Sequence, residues 1–484
     1  MDTRLLKRDT FYIGGQWVAP AEGANAPVIS PATGTAVGHV PLATTRDMDR
    51  AVEAARMAFH TGPWPHTAPT ARADKLQQIA TRLHERAADI AELTVAEMGC
   101  AISQAPRAQT GLVAKVFEYY AELARTFEFE RRVAAGDRAG LVRQLPVGVV
   151  GAIIPWNAPV TLSAWKLAPA LAAGCSVVVK PAPEAPLSNY VLAEVIHEVG
   201  LPPGVVNMIP GGRDVGEHLV RHTDVDKIAF TGSTEAGKRI MALCADQVKR
   251  VSLELGGKSA VIVLDDVDLS TVVPRVIKAA MHLTGQFCGA QARVLIARAQ
   301  YEQAVQLAVE TARQIKVGDP RDPTTMVGPV VAERQRLRIE SYIKSAIDQG
   351  ARVAAGGGRP AGLSQGWYLE PTVLADVDNA MTVAQEEIFG PVVCLIPFDN
   401  DDQAVQIAND SQYGLTGAVW SADPQRATQV ACRLRTGSVA INGVAAPFPK
   451  VPFGGFKQSG LGRELGPDGL QSYLEPQSLG LPEP

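Results

Sequence analysis

Apolar positions along the chain follow two different rules. Over the first third they recur at helical spacing: after the strand-like pieces FYIGGQWV and APVISPATG, Thr44-Thr45-Arg46-Asp47 has the S/T-x-x-D form of a helix start. Met48, Val52, Ala55 and Phe59 then mark one apolar face. Residues 71–98 repeat the pattern with Leu76, Ile79, Leu83, Ala87 and Ile90, which predicts a single apolar stripe on a polar scaffold helix. From about Val149 the rule changes to short β-rich runs, VVGAII, CSVVVK, VVNMI, DKIAF and RVSLEL, separated by helical segments and punctuated by Pro or Gly. That alternation predicts βαβ units and a parallel sheet with helices on its faces. A second alternating region starts near Ser259: AVIVL, a helix over 269–283, ARVLIA, helices over 301–316 and 331–350, PVVCLIPF, a helix over 401–409 and GSVAIN. Ahead of the first region, TFEFERRVAAGDRAGLVRQLP reads as two charged strands around an Ala-Gly-Asp-Arg turn, an exposed hairpin that is either solvated or an edge for another subunit. No internal repeat or low-complexity linker interrupts the chain, so two interleaved α/β domains with a cleft between them are expected.

Composition narrows the function. At roughly 150 residues per domain, 484 residues allow two or three domains. Hydrophobic residues at 46% and charged residues at 20% are ordinary for a globular protein. A formal charge of −4, with Lys and Arg unclustered, provides no field to draw in nucleic acid or anionic lipid. Residues 1–20 lack the apolar core of a signal peptide, and LAPALAAGCSVVV falls short of the roughly 18 residues of a membrane span. Six scattered cysteines without a CxxC pair suit a reducing compartment, so a cytoplasmic protein working on small molecules is expected.

Four places carry candidate chemistry. Cys288 stands in the glycine-flanked turn Gly285-Gln286-Phe287-Cys288-Gly289, where a thiol can be reached, whereas Cys100, Cys175, Cys244, Cys394 and Cys432 lie in apolar or helical runs and read as packing thiols. Glu254 ends an apolar strand that runs into paired glycines; a carboxylate held against apolar neighbours has a raised pKa and suits a general base near neutral pH, the alternative being a solvated strand end. Asn157, between Pro155 and Pro159, is an amide on fixed backbone that could donate to an oxyanion, or an ordinary turn residue. Ser233, in the strand–turn–helix segment FTGSTEAGK, offers either a phosphate seat or a simple helix cap, and the G-x-G-x-x-G fingerprint is absent. His218 and His222 are spaced i, i+4, but HLVRH lacks the Glu of a zinc helix, so no metal is expected. A Cys288–His282 hydrolase dyad would leave the remaining motifs without a purpose.

Taken together, PWNAP, AWKLAPALAAGCSVVVKPA, DKIAFTGSTEAGK, LELGGKS, GQFCGAQAR, EEIFGPV and PFGGFKQSG, in this order, resemble the aldehyde dehydrogenase superfamily over nearly the whole chain. The spacing from Glu254 to Cys288 is that of typical members. The resemblance implies an α/β fold of two Rossmann-like parallel-sheet domains: a cofactor domain over 1–124 and 146–254, a catalytic domain over 255–460, and a small β oligomerisation arm over 125–145 and 461–484. It implies oxidation of an aldehyde to a carboxylic acid with NAD or NADP. In that reaction Cys288 is the nucleophile, Asn157 and the Cys288 N–H hold the oxyanion, and Glu254 activates the water that releases the acid.

For the cofactor the resemblance points to Ile154, Pro155, Trp156, Lys180 at the adenosine ribose, Gly216 at the adenine, Phe230, Gly232, Ser233 at the pyrophosphate, Leu255, Glu387 at the nicotinamide ribose, and Phe389. Many NAD-preferring members carry Glu three residues after the lysine; here Pro183 stands there, and Glu184 follows it. NAD is favoured, with NADP open. Ala158, Trp165, Phe287 and Gly289 suggest an apolar tunnel for an aromatic, terpenoid or medium aliphatic aldehyde. The hairpin and the C-terminal SYLEPQSLGLP are expected each to pair with a neighbouring subunit's sheet in a homodimer or homotetramer. Two other readings stand beside this one: transfer of the thioester to coenzyme A, against which Glu254 argues, and a non-catalytic homologue, against which Cys288, Glu254 and Asn157 argue together.

Overall fold

The computed structural model describes residues 3–22, 25–135 and 138–481. The expected parallel strands form, and they are buried on both faces, which is why they read as continuous apolar runs rather than as alternation. In the first sheet the strands lie in the order Gln16–Val18, Phe11–Ile13, Val206–Met208, Ser176–Lys180, Val149–Ile153, Lys227–Thr231, Arg250–Glu254 and Gly460–Leu461. The five from Val206–Met208 to Arg250–Glu254 are mutually parallel, with antiparallel strands at the edges. Successive side chains of a strand point to opposite faces. Val150 and Ala152 accordingly pack into one helical layer, and Val149 and Ile153 into the other.

Sequence order turns back between Val149–Ile153 and Lys227–Thr231, and the crevice outside the carboxyl ends of strands at such a reversal is where open α/β sheets bind ligands. Immediately after Glu254 the chain crosses to the second sheet, ordered Arg352–Ala355, Thr372–Ala375, Val392–Phe398, Arg293–Ala297, Ala260–Val263, Thr416–Trp420 and Ser438–Ile441. It is parallel except for Arg352–Ala355.

Local signals explain most boundaries. Thr44 and Asp47 form a reciprocal capping box at the start of Thr45–His60. Pro159 opens Pro159–Ala173, and Gly174, at φ 99°, closes it in the left-handed region that glycine tolerates. The stripe over 71–98 is not one helix. It divides into Pro69–Glu85 and Ala87–Met98 at Arg86, whose guanidinium is held by Asp89 and Glu194. Both halves pack on Leu187–Val199, and the first packs in addition, and mainly, on Val113–Thr126.

The expected hairpin forms as Glu130–Ala135 and Arg138–Pro146; Gly136 and Asp137 of its turn lie outside the described residues. The C-terminal expectation needs correcting: Leu474–Leu481 pairs antiparallel with Arg138–Pro146 of its own chain, from Leu474↔Pro146 to Leu481↔Ala139. One three-stranded sheet results, with Arg138–Pro146 in the middle and Glu130–Ala135 and Leu474–Leu481 as its edges. Among the described residues no helix is long and apolar enough to cross a membrane.

Candidate active site

The amide and the thiol are tied to one turn. Asn157 follows the end of Val149–Ile153, is 6% exposed, and donates through Nδ2 to the Gln286 carbonyl at 3.1 Å, two residues before Cys288. Its own carbonyl accepts from Gln109 Nε2 at 3.0 Å. The turn that delivers Cys288 runs through three successive left-handed residues, Leu283 (φ 49°), Thr284 (φ 58°) and Gly285 (φ 69°). Left-handed backbone costs a non-glycine residue about 1–2 kcal/mol, so Leu283 and Thr284 store strain that their surroundings must hold. Gly285 is obligatory, because a Cβ there would come within 2.0 Å of the Gly390 carbonyl oxygen. Cys288 is half-buried. Burial, with Glu387 and Glu254 nearby, pushes its thiol up to about 12, so in the free protein it is protonated at neutral pH.

Glu254 is the last residue of its strand and 3% exposed, and neither carboxylate oxygen has a hydrogen-bond partner. Burial, then the Glu464 charge, hold its carboxyl well above the usual range, with Lys166 and Arg463 acting the other way. Lys166, inside the buried helix Pro159–Ala173, donates to Thr231 Oγ1 at 2.6 Å and to Glu464 Oε1 at 2.5 Å. The Lys166 ammonium thus pairs with Glu464 and acts on Glu254 only through its charge. Sequence reasoning passed over Lys166 and Glu464; a lysine in the apolar run AWKLAPALAAG was the available signal.

A cleft connects these groups. It is lined by Pro155, Trp156, Asn157, Thr231, Gly232, Ser233, Leu255, Gly256, Cys288, Gln335, Arg338, Glu387 and Phe389. Glu387 accepts the Gly257 N–H at 3.0 Å, and burial pushes its carboxyl up to about 7. Phe389, at φ 61°, sets its ring edge-on to Trp156 at 5.4 Å, at the wall of the cleft rather than in the core. The Leu255 N–H is taken by the Ser459 carbonyl at 2.9 Å, which leaves its carbonyl to offer. Ser233 is exposed and caps Thr234–Ala245 by accepting from the Ala236 N–H.

Four of the expected cofactor residues lie outside this cleft. Ile154 and Phe230 are buried in core layers on opposite faces of the first sheet, and a Cβ at Gly232 would come within 2.4 Å of the Phe230 ring. Lys180, buried, donates to the Gly211 carbonyl at 2.7 Å, and burial pushes its ammonium down to about 8, with Glu184 and Asp214 opposing. A Cβ at Gly216 would lie 3.2 Å from Lys180 Cε, so Gly216 keeps that space open. Glu184 is ion-paired with Arg334.

These residues fit a dinucleotide. The Lys180 ammonium with the open space beside Gly216 and the start of helix Thr234–Ala245 lie at the carboxyl ends of first-sheet strands, and the half-buried Glu387 carboxylate faces them from the second sheet's side of the cleft.

On the other side of Cys288, Ala158 is half-buried and Trp165 is 5% exposed, its ring edge-on to Phe453 at 5.3 Å. Phe287 meets His282 edge-on at 5.8 Å, and Gly289 faces Thr416 Cγ2, which a Cβ would reach at 3.4 Å. His282 is pushed down to about 4 by burial and Arg107, and no hydrogen bond joins it to Cys288 among the described residues. His218 and His222 face Asp49. No cluster of three or more metal-ligating side chains occurs among the described residues. The expectation of five packing thiols fails at Cys432, which caps the end of Pro424–Ala431 and is exposed.

Comparison with known proteins follows this geometry. The aldehyde dehydrogenase family profile matches residues 17–479. Geranial dehydrogenase of Castellaniella defragrans is 44% identical over 470 residues, covering 97% of this chain and 98% of that one. Among solved structures, a Mycobacterium tuberculosis aldehyde dehydrogenase complexed with NAD+ is 43% identical with a TM-score of 0.96, covering 99% of each chain. A mutant of aldehyde dehydrogenase C from Pseudomonas syringae, complexed with NAD+ and octanal, is 41% identical with a TM-score of 0.94, covering 99% of this chain and 97% of that one.

Proposed function

We propose, because this chain belongs to the aldehyde dehydrogenase family, that Cys288, Asn157 and Glu254 divide the work of oxidising an aldehyde to a carboxylic acid. The observation that carries the division is the tie between Asn157 and the Cys288 turn through the Gln286 carbonyl, at the mouth of a cleft that also presents Glu387.

Loss of the thiol proton to water gives the Cys288 thiolate, which attacks the aldehyde carbon, forming a C–S bond as the carbonyl π pair moves onto oxygen to make an oxyanion. Asn157 Nδ2 spends one hydrogen on Gln286 and has a second for that oxyanion, joined by the Cys288 N–H. NAD+, when bound, would supply the acceptor for the hydride from that carbon, and Glu387 would hold its ribose. A thioester remains on Cys288. Glu254, whose carboxyl is held well above the usual range by burial and is therefore a stronger base as carboxylate, draws a proton from a water; the resulting hydroxide adds to the thioester carbon, and the C–S bond breaks to release acid and thiolate. A buried base with two unpartnered oxygens serves hydrolysis, and transfer to coenzyme A has no use for it.

Lys180, Gly216, Ser233 and Gly232 hold the adenosine and pyrophosphate. NAD is the preferred cofactor: the negative charges of Glu184 and Asp214 both act on Lys180, and a 2′-phosphate would meet them. The substrate is an aromatic, terpenoid or medium aliphatic aldehyde, since Ala158, Trp165, Phe287 and Phe453 present little polarity; the geranial and octanal of the two relatives have this character. The first sheet serves the cofactor and the second carries Cys288. The protein is a cytoplasmic homodimer or homotetramer, in which the open edge at Glu130–Ala135 meets the open edge at Ser438–Ile441 of a neighbour.

Rapid mixing of aldehyde and NAD+, followed by reduced-nicotinamide absorbance, tests the assignment. Cys288→Ala loses both burst and turnover, while Glu254→Gln keeps the burst and stalls afterwards. A normal steady rate in either variant refutes the role given to that residue.

A further inference from the structure

Gln104 and Gln109 belong to no motif, yet between them they touch both halves of the reacting centre. They lie between Ala87–Met98 and Val113–Thr126, where the chain makes a π-helical turn, Pro106–Thr110. Such widened turns recur at functional sites. Gln104 Oε1 accepts the N–H of Leu283, first of the three left-handed residues before Cys288, at 2.8 Å, and its Nε2 donates to the Met326 carbonyl at 2.7 Å. Gln109, fully buried, donates to the carbonyl of Asn157 itself, and its own carbonyl accepts from Thr161 Oγ1 at 3.3 Å.

We infer that Gln104 and Gln109 are positioning residues that set the nucleophile and the oxyanion amide against each other from one rigid turn. The inference rests on the roles given above to Cys288 and Asn157. Leu283 and Thr284 would relax out of the left-handed region if nothing held them, and Gln104 bonds the first of their N–H groups to a separate element. Thr284 Oγ1 on the Gly328 carbonyl and Gln286 Oε1 on the Val331 N–H hold the remainder of the turn. On the opposite side, the Asn157 side chain can aim at an oxyanion only as accurately as its backbone is fixed, and Gln109 fixes its carbonyl. Gln109 Oε1 is buried without a partner. Gln109 Nε2 also meets Met98 Sδ, a weak acceptor, at 3.5 Å, so for folding alone an apolar side chain of the same shape would serve as well or better; the bond to the Asn157 carbonyl is the strong one the amide contributes.

Gln104→Met and Gln109→Met, close in shape, remove these bonds, and Gln104→Glu, read at a pH where its carboxyl is protonated, restores both an acceptor for the Leu283 N–H and a donor for the Met326 carbonyl. A misplacement of about 1 Å at reacting atoms costs up to 100-fold, so each Met variant should slow the burst at saturating aldehyde about tenfold or more. NAD+ affinity should stay within twofold of the parent in both Met variants, and the rate of Cys288 alkylation by iodoacetamide, which needs no oxyanion geometry, should do so in Gln109→Met, which leaves the Cys288 turn held; Gln104→Glu should recover most of the burst rate. Burst rates within twofold of the parent overturn the inference. So does a slower burst matched by an equal loss of NAD+ affinity, or a Gln104→Glu no faster than Gln104→Met, because either result marks a structural role. If Gln104→Met does not fold, Gln109→Met and Gln104→Glu decide by the same criteria. A parent without any burst faults the assignment of Cys288 itself and takes the inference with it.

Discussion

Gly256→Ala probes the cofactor cleft through a single methyl group. Gly256 is outside the left-handed region, so alanine can adopt its backbone; the conflict is with Glu387, whose Oε2 would stand 2.5 Å and Cδ 2.8 Å from the new Cβ. Ordinary contact begins near 3.4 Å, so the carboxylate must retreat by about 0.9 Å. Glu387 is half-buried, and its other oxygen is anchored to the Gly257 N–H at 3.0 Å. A retreat of that size stretches the anchor to about 3.9 Å, beyond hydrogen-bonding range. A hydrogen bond to a charged group contributes about 1.5–3 kcal/mol, and about 1.4 kcal/mol is tenfold in an equilibrium constant. NAD+ affinity should therefore fall by about one to two orders of magnitude.

The measurement belongs at pH 8. Burial lifts the Glu387 carboxyl to about 7. Above that pH it is the ionised acceptor that a ribose hydroxyl needs; below it the protonated form predominates in both proteins and their difference shrinks. Calorimetric titration with NAD+ gives Kd, and the Cys288 alkylation rate reports whether the neighbouring turn is intact. A Kd within twofold of the parent at pH 8 would refute the reading that Glu387, held by Gly257, grips the cofactor.

Glu464→Gln removes a negative charge that raises the Glu254 carboxyl and frees the Lys166 charge that lowers it. The base acts as carboxylate, so the acid limb of single-turnover deacylation should move to lower pH; an unmoved limb, or one at higher pH, counts against the coupling. Ala158→Phe, in the wall beside Trp165, should reduce kcat/KM about tenfold or more for a bulky aldehyde relative to acetaldehyde, the scale on which an apolar pocket discriminates; an equal effect on both excludes the tunnel. In a native thiol titration exposed Cys432 should react first and half-buried Cys288 more slowly, while Cys100, Cys175, Cys244 and Cys394 wait for denaturant. Cys432→Ser should lose the fast phase without changing turnover, and persistence of that phase would show another thiol at the surface.

Much of this protein is local and therefore readable from its residues alone. Parallel strands buried on both faces announce themselves as apolar runs. The capping box at Thr44 and Asp47 and the proline that opens Pro159–Ala173 act within a turn of where they stand. Cys288, Asn157, Glu254 and Glu387 were nominated by their local settings and by motif, and the fold brings all four to one place because strand ends and the turns after them converge at the mouth of the first sheet. What tertiary structure alone decided has no local signature. Arg86, held by Asp89 and by the distant Glu194, divides an unbroken apolar stripe into two helices. Cys432 sits in a helical pattern like any packing thiol, yet its helix turns that end outward. The C-terminal strand pairs within its own chain because Arg138–Pro146 offers it an edge of matching length. Lys166 and Glu464 lie 298 positions apart, and Gln104 meets Leu283 across 179. Propensity and pattern are short-ranged, whereas burial of a charge, its partner and the strain of a turn depend on which distant segments the packed core brings together, and that is where the chemistry of this site is set.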